Sequence, residues 1–274
     1  MLGDGLPQRL EPALRFLFDG QAPESAVEAS RAIEGLRARI SERDDVYRYA
    51  WFDTSLGVVR LAQRAEKSSA SMSSSQYAMA ISVPKRWGIF LYLCATAFNA
   101  KNILEMGACV GISGAYLASI RSQPDFLTLE GSQVLAAIAQ TTLAAVSDKA
   151  HVVVGLFEDT LPRTLERIAR DGQTIDLAYV DGHHGEAATL HYVDAISRRL
   201  SSTALIILDD IYLYEDMWRA WQKLSSAAGV VSINVGRFGL VMYGSSTPCR
   251  QYDLARYTGF WRVGSTRARA IANP

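Results

Sequence analysis

At 274 residues with 49% apolar content, the chain is long enough to bury one sizeable α/β core with an additional segment beside it. Its 28 basic and 28 acidic residues cancel, which argues against a general nucleic-acid or anionic-membrane binder, since neither would meet an attractive field. Small or neutral substrates suit that balance, with no nucleic acid and no membrane as partner. Three cysteines, Cys94, Cys109 and Cys249, lack metal-ligand spacing, and MLGDGLPQRLEP lacks the basic and apolar pattern of an export signal. No apolar run reaches membrane-spanning length, so the expected setting is a reducing cytoplasm.

Residues 8–67 carry helical periodicity, with Val27, Ser30, Ile33, Leu36 or Arg37, and Ile40 marking a stripe. A second amphipathic stretch runs through Val58, Leu61 and Ala65, so a helical appendage is expected. Residues 68–75, SSASMSSS, combine low complexity with no apolar period and are read as a mobile loop, either linker or lid. Trp87–Phe98 then form an apolar helix leading into a short strand that closes at Ile103 and Leu104.

That strand opens the stretch around which the chain is organised, NILEMGACVGIS. Glu105, Gly107, Gly111 and Ser113 make E-x-G-x-x-x-G-x-S between a strand end and a helix start, where glycines let backbone approach a ligand. A dinucleotide fingerprint has a different glycine spacing, and a carboxylate at Glu105 would repel a diphosphate. It suits a ligand with a cationic end, and S-adenosyl-L-methionine (S-adenosylmethionine) carries a sulfonium and an ammonium. Glu130 ends FLTLE, 23 residues after Gly107, where an acid can accept two ribose hydroxyls. Cys109 lies inside the loop and reads as a small apolar filler rather than a reactive thiol.

From there strands alternate with helices: FLTLE, a helix at 132–146, HVVVG, a helix at 159–170, IDLAYVD, a helix at 185–200, ALIILDD and a helix at 214–227. Such alternation implies right-handed crossovers and a parallel sheet covered on both faces. VVSINVG and FGLVMYG are nearly contiguous and must form a hairpin. The last thirty residues carry Arg250, Arg256, Arg262, Arg267 and Arg269 against Asp253, which reads as a solvated surface or a subunit contact.

On these motifs, residues 76–243 resemble the class I S-adenosylmethionine-dependent methyltransferases, in the catechol O-methyltransferase-like group that methylates small molecules. The resemblance implies a Rossmann-like, doubly wound, seven-stranded, mostly parallel α/β sheet with a reversed last strand, plus the N-terminal helical appendage. It also implies a homodimer and a division into residues 1–75, 76–244 and 245–274. The family places Val83 beside the methionine part of the cofactor, and Phe157 and Glu158 at the adenine.

In a doubly wound sheet the ligand lies beyond the strand C-termini, where strand order reverses between the first and fourth strands. Glu105 and Asp181 end those two strands, and Asp209 and Asp210 end the fifth. With strands about 4.8 Å apart the carboxylates converge, and unpaired like charges require a cation or a proton between them. By resemblance, Asp181, Asp209 and Asp210 occupy the positions of metal ligands for Mg²⁺ or Mn²⁺, although animal catechol enzymes have asparagine in the third place. The alternative has Asp181 contact the methionine end while Asp209 or Asp210 caps the next helix.

His183 and His184 follow Asp181 in VDGHHG. Either could take a proton from an attacking hydroxyl, or could instead bond the loop or stack on the cofactor. The catechol enzymes carry a lysine near here that this loop lacks, and His184 is the favoured base of the two. Tyr212, Tyr214, Trp218, Trp221 and Trp87 are packing residues or walls of an acceptor pocket. The expected reaction is direct methyl transfer to a hydroxyl of a small molecule, the acceptor itself staying open. Two other classes stay open: a non-catalytic S-adenosylmethionine-binding or assembly protein, and an NAD(P)-dependent oxidoreductase.

Overall fold

The computed structural model describes residues 7–43, 46–50, 69–243 and 249–258. The amphipathic stretch at Val58, Leu61 and Ala65, and Arg262, Arg267 and Arg269 of the basic tail, lie outside the described residues. Two helices come first, α1 (Glu11–Asp19) and α2 (Glu24–Ser41). The buried stripe of α2 is Ala26, Ser30, Ile33, Arg37 and Ile40, while Val27 is exposed. The expected stripe is therefore right from Ser30 onward and one residue out at its start.

Ser69–Ser73, inside the serine-rich stretch read as a loop, is a strand (β2) paired antiparallel with β1 (Val46–Ala50). Cross-strand hydrogen bonding supplies partners for the backbone there, which serines accept without any apolar alternation. A short helix, α3 (Ser74–Gln76), continues into a π turn at Tyr77–Ile81, and α4 (Lys85–Ala97) follows after Pro84.

The main sheet is then assembled from β3 (Asn102–Met106), α5 (Ile112–Ala118), β4 (Asp125–Glu130), α6 (Gln133–Ala144), β5 (Ala150–Val154), α7 (Phe157–Arg170), β6 (Ile175–Val180), α8 (Glu186–Ser197), β7 (Leu200–Leu208), α9 (Glu215–Ser225), β8 (Val230–Asn234), β9 (Gly239–Tyr243) and β10 (Arg250–Asp253). Its order is β10-β8-β9-β7-β6-β3-β4-β5. The pairs β3–β4, β4–β5, β3–β6 and β6–β7 are parallel, and β9 runs antiparallel between β7 and β8. The sheet has eight strands where seven were expected, because Arg250–Asp253 of the basic tail adds a parallel edge strand to β8.

Successive strand residues point to opposite faces, and both faces are buried. On one face Ile103, Phe126, Leu177, Leu205 and Phe238 pack with Leu14, Ile33, Phe90 and Leu117, so α1 and α2 share one core with α4, α5 and α6. On the other, Leu104, Leu129, Ala178 and Ile206 meet Leu161, Ile168, Tyr192 and Trp221 of α7, α8 and α9. Order reverses between β3 and β6, which places the cleft above their C-terminal ends. Among the described residues, no helix is long and apolar enough to cross a membrane.

Candidate active site

The loop from β3 to α5 leaves room only for backbone. Gly107 has φ of 97°, and a Cβ there would sit 1.9 Å from the Asp181 carbonyl oxygen. Asp181 N–H donates to Met106 O at 2.9 Å, so the end of β6 is drawn tightly onto this turn. Gly111, at φ 84°, caps α5, where a Cβ would come within 2.9 Å of Ala139 Cα. The Thr142 hydroxyl donates to Val110 O at 2.8 Å, tying α6 to the same loop, and Ser113 is buried at the start of α5.

Glu130, at the end of β4, turns its carboxylate into that loop. It accepts from Cys109 N–H at 2.9 Å and Ser132 N–H at 2.8 Å. Burial raises its pKa while these amides oppose the rise. Burial, and then the Glu130 charge, push the Cys109 thiol to about 12, which suits the filler reading.

Glu105 differs from expectation. Its carboxylate is fully enclosed, and a Cβ on Gly114 would lie 2.9 Å from its Oε2. Burial raises its pKa to about 7 against the lowering influence of Ser113 and Thr128, whose hydroxyls lie close by without forming a hydrogen bond of good geometry to either oxygen. Glu105 thus sits behind the loop, on the α5 side of β3, and does not face the cleft as a direct grip on a cation would require.

The acids at the ends of β6 and β7 do converge. Asp209 is fully buried and accepts hydrogen bonds on both oxygens. Arg237 Nε lies 2.7 Å from its Oδ1 and Arg237 Nη2 donates to its Oδ2 at 2.8 Å. Tyr179 Oη donates to the same Oδ2, and Asp210 N–H to Oδ1 at 2.6 Å. Arg237 also lies 3.4 Å from Asp210. Its delivery follows from register: Leu208 pairs with Gly239, so the β8–β9 turn lands beside Asp209. Burial opposes the guanidinium charge, but Asp209 and Asp210 hold its pKa well above the ordinary value.

Of the three acids expected as metal ligands, Asp209 is already ion-paired with Arg237 and hydrogen-bonded on both oxygens. Asp181, His184 and Asp210 instead bring one ligand atom each within 4.8 Å of one another. His184 Nε2 is 3.7 Å from Asp181 Oδ1. Burial, then repulsion from Asp209 and Asp210, lifts the Asp181 pKa well above its usual value, and burial, then repulsion from Asp209, lifts that of Asp210 to about 7. Burial lowers the pKa of both His183 and His184 and keeps the imidazoles neutral. His183, at φ 54°, meets the Tyr192 ring edge-on at 6.1 Å.

Phe157 begins α7 and lies under Gly182, where a Cβ would come within 2.7 Å of its ring. Glu158 accepts from Tyr192 Oη at 2.6 Å, so the polar group expected at the adenine already has a protein partner. Val83 is buried, and Arg37 Nη2 donates to its carbonyl at 2.6 Å while Nη1 donates to Ala78 O at 2.6 Å. Trp87 and Trp221 are core: Trp87 packs on Phe238 at 4.9 Å, and Trp221 faces Gly239. Tyr212 stacks on Trp218 at 4.7 Å, and Tyr214 is exposed at the rim. Sequence reasoning placed Arg37 on the α2 stripe without a role at the site, and did not single out Tyr179, Tyr192 or Arg237. Only Arg237 carried a signal, as the one charge in a hairpin turn next to the fifth strand of the alternation.

Residues 104–211 match a family model described as a methyltransferase domain. This span holds the glycine loop, Glu130 and all the strand-end acids. The match covers the β3–β7 part of a Rossmann-like sheet. It is 34% identical over 135 residues to the catechol O-methyltransferase of Mycobacterium tuberculosis, a match covering 48% of this chain and 57% of that protein. The chain spans about half the length of the curated relatives it matches. Among solved structures it resembles the SAH-bound Podospora anserina methyltransferase PaMTH1, with TM-score 0.53, 18% identity, and coverage of 89% and 100% of the two chains. It also resembles the O-methyltransferase TomG from Streptomyces achromogenes, involved in tomaymycin synthesis and solved with SAM, with TM-score 0.52, 18% identity, and coverage of 85% and 96%.

Proposed function

We propose that this protein is an S-adenosylmethionine-dependent O-methyltransferase acting on a hydroxyl of a small molecule. The observation that carries the reading is the joining of two acids through one loop. Glu130 is held by the loop amide of Cys109, and the Asp181 carbonyl lies against Gly107 from the other side, so the residues that end β4 and follow β6 both stand at this loop. The sulfonium cofactor supplies an activated methyl group and a neutral thioether leaving group.

Glu130 then accepts the ribose hydroxyls, while Gly107, Gly111 and Ser113 shape the loop under the cofactor. Val83 borders the methionine portion, with Asp181 receiving its ammonium, and Phe157 provides an apolar face to adenine beside Glu158. Glu105 acts from behind the loop. The protein's chemical task is to align the acceptor oxygen with the methyl carbon and sulfur, exclude water and take up the hydroxyl proton. His184 serves as base, its imidazole kept neutral by burial and 3.7 Å from Asp181.

A divalent cation, Mg²⁺ or Mn²⁺, would lower the acceptor pKa as a Lewis acid. The expected Asp181, Asp209 and Asp210 set fits it poorly, since Asp209 is engaged by Arg237, Tyr179 and the Asp210 amide, and among the described residues it is Asp181, His184 and Asp210 that bring ligand atoms together. No proton step here depends on a metal. A homodimer in the cytoplasm completes the proposal, and sedimentation tests the dimer.

The testing experiment incubates the full chain with methyl-labelled S-adenosylmethionine and a panel of catechols and phenols. Label at a hydroxyl oxygen is the expected result. Tight S-adenosylhomocysteine binding without transfer to any acceptor would instead favour a non-catalytic cofactor-binding protein, and stabilisation by NADH alone an oxidoreductase.

A further inference from the structure

Strand ends carrying Asp181, Asp209 and Asp210 side by side need positive charge among them, because buried like charges otherwise destabilise the fold. The chain supplies that charge from its own hairpin. Arg237 is largely buried, lies 2.7 Å from Asp209 and 3.4 Å from Asp210, and is aimed inward by the pairing of Leu208 with Gly239. The guanidinium pairs with Asp209 and donates from Nη2 to Oδ2 at 2.8 Å, and the Tyr179 hydroxyl and the Asp210 amide also donate to that carboxylate.

We infer that Arg237 is the resident cation of this acid cluster: a positioning residue that occupies the electrostatic place of a divalent metal and makes the site independent of one. Asp209 is then the strut that holds the guanidinium rather than a ligand. The remaining donors, Asp181, His184 and Asp210, face a fixed positive charge that opposes entry of a second cation. The methyl-transfer reading supplies the use of that charge, which favours the developing acceptor oxyanion, but the pairing of Arg237 with Asp209 and Asp210 stands without it.

The experiment titrates Mn²⁺ into chelator-stripped full-length protein, followed by the electron paramagnetic resonance of free Mn²⁺. Wild type is expected to show no stoichiometric binding. Arg237→Gln, and the paired variant Asp209→Asn/Arg237→Gln that removes the buried charge with its partner, are expected to gain one site at least about 10-fold tighter than wild type. Adding Asp210→Asn should abolish the gain. Stoichiometric Mn²⁺ binding by wild type that is lost in Asp210→Asn would overturn the inference, as would a folded paired variant with no gain. S-adenosylhomocysteine binding, titrated on the same samples, reports on the methyl-transfer reading separately.

Discussion

A side-chain carbon on Gly107 would lie 1.9 Å from the carbonyl oxygen of Asp181. The first and fourth strands of the alternation thus meet through bare backbone, at a φ of 97° that L-residues avoid. Gly107→Ala must displace the end of β6 and strain its own backbone together. Its expected cost is about 3 kcal/mol or more in urea unfolding, accompanied by loss of S-adenosylhomocysteine affinity. An alanine variant with native stability and affinity would show that the two strand ends are not held this closely.

Glu105 gives a pH signature of opposite sign to that of most carboxylates. Its pKa rises from 4.5 to about 7 in the folded chain, so the native state binds the proton more strongly than the unfolded state between those values. The stability contributed by the neutral acid is full below about pH 4.5 and is lost as pH climbs through about 7. Glu105→Gln stays neutral and should exceed wild type by on the order of 2 kcal/mol at pH 8, with the difference shrinking toward pH 5. A variant less stable than wild type at pH 8 would mean that the ionised carboxylate has a partner in the fold.

His184 should set the acidic limb of the rate profile. Burial depresses its pKa below 6.5, so the neutral form persists above that value and is lost as pH falls through the lowered pKa. His184→Ala is expected to reduce kcat by roughly 10²–10⁴-fold and to remove the limb. Undiminished turnover by the variant from about pH 6 to 9 would exclude His184 as the base.

The layered fold was legible because strand and helix periods alternate regularly from NILEMG to FGLVMYG, and the hairpin reversal follows from the short gap between its strands. The glycine loop was legible for a related reason, since close backbone approach demands glycine at a set place, and Glu130 does end the next strand with its carboxylate on that loop. Partners brought from distant segments were not. Arg237 reaches Asp209 through strand register, and Arg37 reaches Val83 through the docking of α2, neither of which local sequence encodes. The same gap explains Glu105. Strand alternation directs its side chain toward α5 instead of the cleft, and nothing in the loop motif reveals how completely α5 covers it. Ser69–Ser73 shows the converse failure, where pairing with β1 makes a strand from residues that lack any apolar alternation.

The central claim is that this loop and Glu130 hold a sulfonium-bearing nucleoside, and calorimetric titration of S-adenosylhomocysteine into the wild-type chain and Glu130→Gln tests it most directly. The wild type should bind one equivalent, and the variant should bind about 10- to 100-fold more weakly, the loss expected when charge-assisted bonds to the ribose disappear. Absence of heat and of competition with S-adenosylmethionine in folded wild-type protein would contradict it.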